Sequence, residues 1–364
     1  MNITLQTALC EQFGIKYPLF LAGMAGGPST PELTAAVSEA GGLGILGAAY
    51  MKPEDIRSAV HRIRELTAAP FGVNLFVAQP GDDNSRIQEV QNELNKIRNQ
   101  LGIPNAAEND VQTPNWFEKQ FEVLLEEKVP VISTAFGVLP ASFMDAARTS
   151  GLKVIAMVTT VREALLAEEL GCDAIVAQGS EAGGHRGTFA IDAHTMGANI
   201  GTMALVPQIV DQVTIPVIAA GGIMDGRGLA AALVLGAQGV QMGTRFLTAV
   251  ESGTNPAYRQ ALLASDEEST VLTKAFSGRP ARGIHNMFIR QWEASGVDPL
   301  AFPTQNSATR DIRNEAGKRQ QAEYLSLWAG QGTRMLTADY TAGQIVEEII
   351  LQAAAFMNES HYIK

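Results

Sequence analysis

Eight short apolar runs limit the fold more than any other feature of this chain. They are "PLFLA" (18–22), "GLGIL" (42–46), "FGVNLF" (71–76), "VPVIST" (129–134), "KVIAMV" (153–158), "DAIVAQ" (173–178), "IPVIAA" (215–220) and "GVQMGT" (239–244). Most lack polar–apolar alternation, which predicts strands buried on both faces, as in a parallel sheet. Helical patterns separate them. In "TPELTAAVSEAG" (30–41) a Thr N-cap, a Pro at the first helical position and a closing Gly bound one such helix. Eight strands, each followed by a helix, is the count of a (β/α)8 barrel, and it weighs against a doubly wound sheet.

The expected architecture is α/β, a (β/α)8 TIM barrel with an inserted, mostly helical lid subdomain. The barrel occupies residues 1–250 and carries an elaborated polar loop over 77–128, in which "NSRIQEVQNELNKIRNQLG" reads as an exposed amphipathic helix. The strand–helix alternation stops near residue 250, so 251–325 is read as a substrate-covering lid and 326–364 as a C-terminal segment packing back on the barrel.

Composition narrows the functional classes. A net charge of −11 argues against nucleic acid as a partner. Two cysteines, Cys10 and Cys172, cannot build a disulfide framework. No apolar run reaches the roughly 18 residues of a membrane span, and the N-terminus lacks a signal-peptide pattern. A cytoplasmic protein is expected, with no membrane partner. Metal motifs such as HExxH are absent, so no metal site is expected. The sequence carries no sign of oligomeric state.

In a barrel the chemistry collects where strands end. "AAGGI" after the seventh run and "QMGT" at the eighth put Gly221, Gly222 and Gly243 on the two loops that most often bind phosphate in this fold. Asn74 and Gln178 are amides inside apolar strand text. They are either satisfied in the core or turned to a heteroaromatic ring edge. His185, in "SEAGGHRGTF" (180–189), lies on a glycine-flanked loop beyond the sixth run, where an imidazole can reach the mouth and exchange a proton. His61, His194, His285 and His361 have no comparable context. Arg186, Lys274, Arg279 and Arg282 form a cationic island, read either as inter-loop salt bridging or as attraction of an anion. "GLGILG" (42–47) is a literal GxGxxG, but its glycines fall within a strand, which favours close packing over dinucleotide binding.

Taken together, "AGMAGGPSTPELTAAVSEAGGLGILGAAYM", "GVNLF", "QGSEAGGHRGTF", "IPVIAAGGIMDGRGLAAALVLGAQGVQMGTRF" and "AFSGRPARGI" resemble the nitronate monooxygenase family, formerly called 2-nitropropane dioxygenase, in its class I branch. The resemblance runs from about residue 10 to 335. It implies FMN as cofactor, with contacts from Asn74, Gln178, Gly183 and Gly221. It places the phosphate at Gln241, Met242, Gly243 and Thr244, Met24 against the flavin, and Gly330, Gln331 and Gly332 closing over it. His185 matches the active-site histidine, as a base or as a charge stabiliser. Tyr324 is expected to line the substrate cavity, with Lys274 as a further substrate contact. The implied reaction oxidises an anionic alkyl nitronate, such as propionate 3-nitronate, with O2 to a carbonyl compound and nitrite. The alternative is an FMN-dependent NAD(P)H reductase of quinone or enoyl-acyl-carrier-protein type.

Overall fold

The structure is a computed structural model that describes residues 5–77, 80–106, 111–192 and 194–358. Its strands are β1 (Leu19–Leu21), β2 (Gly44–Gly47), β3 (Phe71–Phe76), β4 (Val131–Ala135), β5 (Lys153–Val158), β6 (Ala174–Gln178), β7 (Gly184–His185), β8 (Val217–Ala220), β9 (Gly239–Met242), β10 (Thr270–Thr273) and β11 (Ala281–Ile284). Eight of them form one parallel sheet in the order β1-β9-β8-β6-β5-β4-β3-β2. A parallel bridge from Phe20 to Leu43 joins the two ends, closing the barrel. Each of the eight runs supplies one barrel strand.

The missing alternation now has a cause. Phe20, Ile45, Val131, Ile155, Val176 and Ile218 point into the barrel, and the short helix Ala8–Phe13 plugs its floor with Leu9, Cys10 and Phe13. Their strand neighbours, including Leu19, Leu21, Val73, Ile132 and Val217, face the surrounding helices instead. Both faces are dry, so both positions of the period-2 repeat are apolar. The helix Pro31–Glu39 starts as expected: the Thr30 side chain accepts from the Leu33 amide, and Pro31 holds the first position.

"GLGILG" is a packing device. A Cβ at Gly42 would lie 2.7 Å from the Leu19 carbonyl oxygen, at Gly44 1.9 Å from that of Thr34, and at Gly47 2.4 Å from the Ala25 nitrogen. These glycines let the first strand–helix unit press against β2 and set the height of the Met24 loop.

The long polar loop divides differently from its expected outline. The helix Phe117–Glu126 buries Phe117, Phe121 and Leu124 in the main core and serves as the barrel helix between β3 and β4. The helix Ile87–Leu101 is amphipathic but not free on the surface. Its Ile87, Val90, Leu94 and Ile97 pack with Phe276, Phe288, Trp292 and Ile312. Arg98, 1% exposed, bonds Asp311 through Nε at 2.7 Å and the Ala308 carbonyl at 2.8 Å. The insertion therefore grips the 304–318 region directly.

Residues beyond 250 also carry more strand than their sequence texture suggests. β10, β11 and β7 form a three-stranded antiparallel sheet, with His185 opposite Ala281. The final helix Ala342–Asn358 returns to the barrel and buries Ile345, Val346 and Ile349 in the main core. Among the described residues, no helix is long and apolar enough to cross a membrane.

Candidate active site

A cavity of about 660 Å³ opens at the carboxyl ends of the barrel strands, within the roughly 300–1,000 Å³ usual for small-molecule sites. One end is glycine backbone. Gly221 (φ 114°) and Gly222 (φ 70°) follow β8, and Gly243 with Thr244 follows β9 at the start of the 3-10 turn Thr244–Phe246. Gln241 and Met242 continue that wall. Gly183, Gly330 and Gly332 cover it from the other side, and here the absence of side chains is required. A Cβ on Gly183 would sit 2.5 Å from the Gly330 nitrogen, and one on Gly330 2.6 Å from the Glu181 carbonyl oxygen. The Gly330 amide donates to Thr244 Oγ1 at 3.0 Å, tying the cover to the floor. A cradle of unhindered amides at this end suits a phosphate.

The middle of the cavity is lined by Met24, Asn74, Met157 and Gln178. Asn74 donates through Nδ2 to Ser133 Oγ at 3.1 Å. Gln178 is more committed than a ring-facing amide should be. Its Nε2 donates to the His185 carbonyl at 2.9 Å and its Oε1 accepts from the Gly187 amide at 2.8 Å. Gln178 lines the cavity while pinning the loop that carries the histidine.

His185 sits among aromatic rings. Trp328 is 5.3 Å from it between centroids, Phe136 5.8 Å, Phe76 6.2 Å and Phe302 6.4 Å. This enclosure drives the imidazole pKa down to about 3, and the positive charges of Arg279 and Arg313 push the same way. The surroundings therefore favour the neutral imidazole over the imidazolium.

Three cations of the island, Arg186, Arg279 and Arg282, are committed to backbone carbonyls. Arg186 is fully buried and donates to the carbonyls of Gly179 (2.7 Å), Gln178 (2.8 Å) and Ala198 (3.1 Å). Arg279 donates to the Thr188 carbonyl and lies 3.9 Å over the Phe136 ring, and Arg282 donates to the Ser180 carbonyl at 3.0 Å. Together they cap the backbone of the 178–189 loop from behind. Lys274 lies off the cavity lining, as does Gln331, whose amide donates to the Glu181 carbonyl. Tyr324 is also displaced from its expected place. Its hydroxyl bonds Gln100 Oε1 at 3.2 Å, on the inserted helix, and Leu325, Ser326 and Trp328 line the cavity instead.

Cationic groups do face the cavity, from a segment that carried no sequence signal. Arg310 and Arg313 project from the helix Arg310–Lys318. Burial holds the Arg313 pKa down to about 10, and its Nε has no hydrogen-bond partner. Tyr50 faces them. It lines the cavity, and burial within the protein raises its phenol to about 12 against the pull of Arg313. Tyr50 was readable in principle, since it closely follows β2 at the catalytic rim. Among the described residues, no group of three or more His, Cys, Asp or Glu is placed to hold a metal.

The structure is a closed parallel barrel whose last two strands end in glycine loops, and these share one cavity with His185, the arrangement of a barrel enzyme. The nitronate monooxygenase family model matches residues 6–352, and the chain belongs to that family. It is 41% identical over 357 residues to a probable nitronate monooxygenase of Staphylococcus saprophyticus, covering 97% of this chain and 99% of the relative. Nitroalkane oxidase from Streptomyces ansochromogenes superposes with a TM-score of 0.88 at 38% identity, covering 96% of this chain and 98% of the other. FabK from Thermotoga maritima superposes at 0.77 with 32% identity, covering 98% of both chains. The chain is an oxidoreductase, and its family membership implies a flavin.

Proposed function

We propose that this chain is an FMN-dependent nitronate monooxygenase that oxidises alkyl nitronates, such as propionate 3-nitronate, with O2 to carbonyl compounds and nitrite. The observation that carries the reading is a neutral imidazole, walled by aromatic rings, in the same cavity as the glycine cradle and the Arg310–Arg313 face. Gly221, Gly222, Gly243 and Thr244 would hold the FMN phosphate, Met24, Asn74 and Gln178 would flank its ring, and Gly183 and Gly330 would close over it. Once bound, the flavin would carry electrons from the nitronate to O2, chemistry that no side chain here provides.

The protein's own part is proton handling and positioning. A nitronate arrives as an anion and is drawn toward Arg310 and Arg313. A neutral nitroalkane must first lose its α-proton, and His185 is the group able to take it.

The test is oxygen uptake and nitrite release with propionate 3-nitronate, run beside anaerobic mixing with NADH or NADPH. Nitrite formed with O2 consumption, and a flavin spectrum unchanged by nicotinamide, is the expected pair. Rapid bleaching by nicotinamide without nitrite would instead establish a quinone- or enoyl-acyl-carrier-protein-type reductase.

The cover makes a separate prediction. Alanine at Gly183 must push the 329–330 backbone away, and overpacking of this kind costs about 1–3 kcal/mol. Gly183→Ala should bind FMN about 10- to 100-fold more weakly in a fluorescence titration, with the far-UV spectrum unchanged.

A further inference from the structure

We propose that Ser277 is a positioning residue that fixes the imidazole proton of His185 on Nε2, and so makes Nδ1 the atom that accepts the substrate proton. The proposal rests on the nitroalkane reading above.

His185 Nε2 lies 2.9 Å from Ser277 Oγ. A serine hydroxyl has one proton to give, and two acceptors compete for it. One is the imidazole nitrogen. The other is the Arg279 carbonyl, 3.0 Å from the same Oγ. Ser277 and Arg279 are both buried, at 1% and 6% exposure, and no other partner for that carbonyl occurs among the described residues. Sending the hydroxyl proton to the imidazole would leave the buried carbonyl orphaned, which costs more than the bond it makes. Sending it to the carbonyl satisfies every group, provided Nε2 carries the hydrogen and donates to Oγ. The Arg279 amide, 3.3 Å from Oγ, adds a second donor on the same side. The serine oxygen is thus set up as an acceptor toward His185.

With Nε2 protonated, Nδ1 holds the ring's lone pair. Nδ1 has no protein hydrogen bond among the described residues and is not sealed from solvent, so it opens on the cavity that His185 lines. The charges facing the ring, Arg279 from the loop before β11 and Arg313 from the helix Arg310–Lys318, both oppose a second proton before substrate arrives. Ser277 can be removed without releasing the main chain of the histidine. Gln178 holds the His185 carbonyl, and β11 pairs with its strand. The ring alone loses its anchor.

The experiment uses flavin-loaded protein labelled with 15N-histidine, together with Ser277→Ala and Ser277→Thr. In the wild type, the His185 nitrogens should read as a protonated Nε2 and an unprotonated Nδ1. Ser277→Ala should give a mixture of tautomers and lower kcat/KM for a neutral nitroalkane about tenfold, roughly the worth of one net hydrogen bond. Turnover of preformed nitronate, which needs no proton abstraction, should stay within twofold, and Ser277→Thr should restore both signals. A wild-type spectrum with the proton on Nδ1 would overturn the proposal. So would equal losses with nitroalkane and nitronate. If Ser277→Ala does not fold, the wild-type spectrum and Ser277→Thr still decide it. The tautomer is read without turnover, so a failure of the nitronate reading is distinguishable from a failure of this one.

Discussion

His185→Asn should lower kcat/KM for a neutral nitroalkane by about 10²- to 10⁴-fold, the range that one positioned general base contributes. FMN content should be unchanged, because the glycine cradle does not include this side chain. Turnover of preformed nitronate should change only a few-fold, since that substrate arrives without its α-proton. Equal losses on the two substrates would assign His185 to charge stabilisation and remove it as the base. The wild-type pH profile supplies a second check. An imidazole with its ordinary pKa of 6.5 would lose half its base form at that pH, whereas one held near 3 stays neutral. The nitroalkane rate should therefore stay flat from pH 8 to 5. The sign for stability is opposite to that of a salt-bridged histidine. The unfolded chain binds a proton below about pH 6.5 that the folded chain refuses until about 3, so this site lowers stability as pH falls through that window. Urea midpoints at pH 7 and pH 5 should separate further for the wild type than for His185→Asn.

The barrel was legible because its strands are dry on both faces, and a buried parallel strand leaves a recognisable apolar run. The strand ends were legible for the same reason, and with them Gly221, Gly243 and His185. What failed was long-range pairing. The helix Ile87–Leu101 showed its apolar stripe in sequence, but nothing nearby revealed that Phe276, Phe288 and Ile312 would cover it. Arg186, Arg279 and Arg282 read as a charge cluster because composition does not register backbone carbonyls, which are their partners. Arg310 and Arg313 lie on a helix whose place over the mouth is fixed by Arg98, more than two hundred residues earlier in the chain. Spacing encodes the neighbours within an element. It does not encode which element arrives from elsewhere.

Gly44→Ala should fail as a fold, and that outcome also decides what "GLGILG" is for. A dinucleotide-binding glycine faces a ligand, so alanine there would weaken binding and leave the protein standing. Gly44 faces the chain itself. Its added Cβ would lie 1.9 Å from the Thr34 carbonyl oxygen, 2.7 Å from the carbonyl carbon and 2.9 Å from Cα. All three atoms are backbone, and they belong to the helix Pro31–Glu39, whose Leu33 and Val37 are fully buried. No rotamer change relieves such a contact; the helix must move off the barrel or β2 must shift. Either movement opens the main core, so the penalty should exceed the roughly 1–3 kcal/mol of ordinary overpacking. A melting temperature lower by on the order of 10 °C, or loss of soluble protein, is expected. Gly343→Ala supplies the control, since its nearest neighbour would be 3.9 Å away within a helix, and alanine there should be neutral or mildly stabilising. An unchanged melting temperature for Gly44→Ala, together with weakened nicotinamide or flavin binding, would return the motif to ligand binding. The clash with the Thr34 backbone argues for the opposite result: a protein that loses its fold before its affinity.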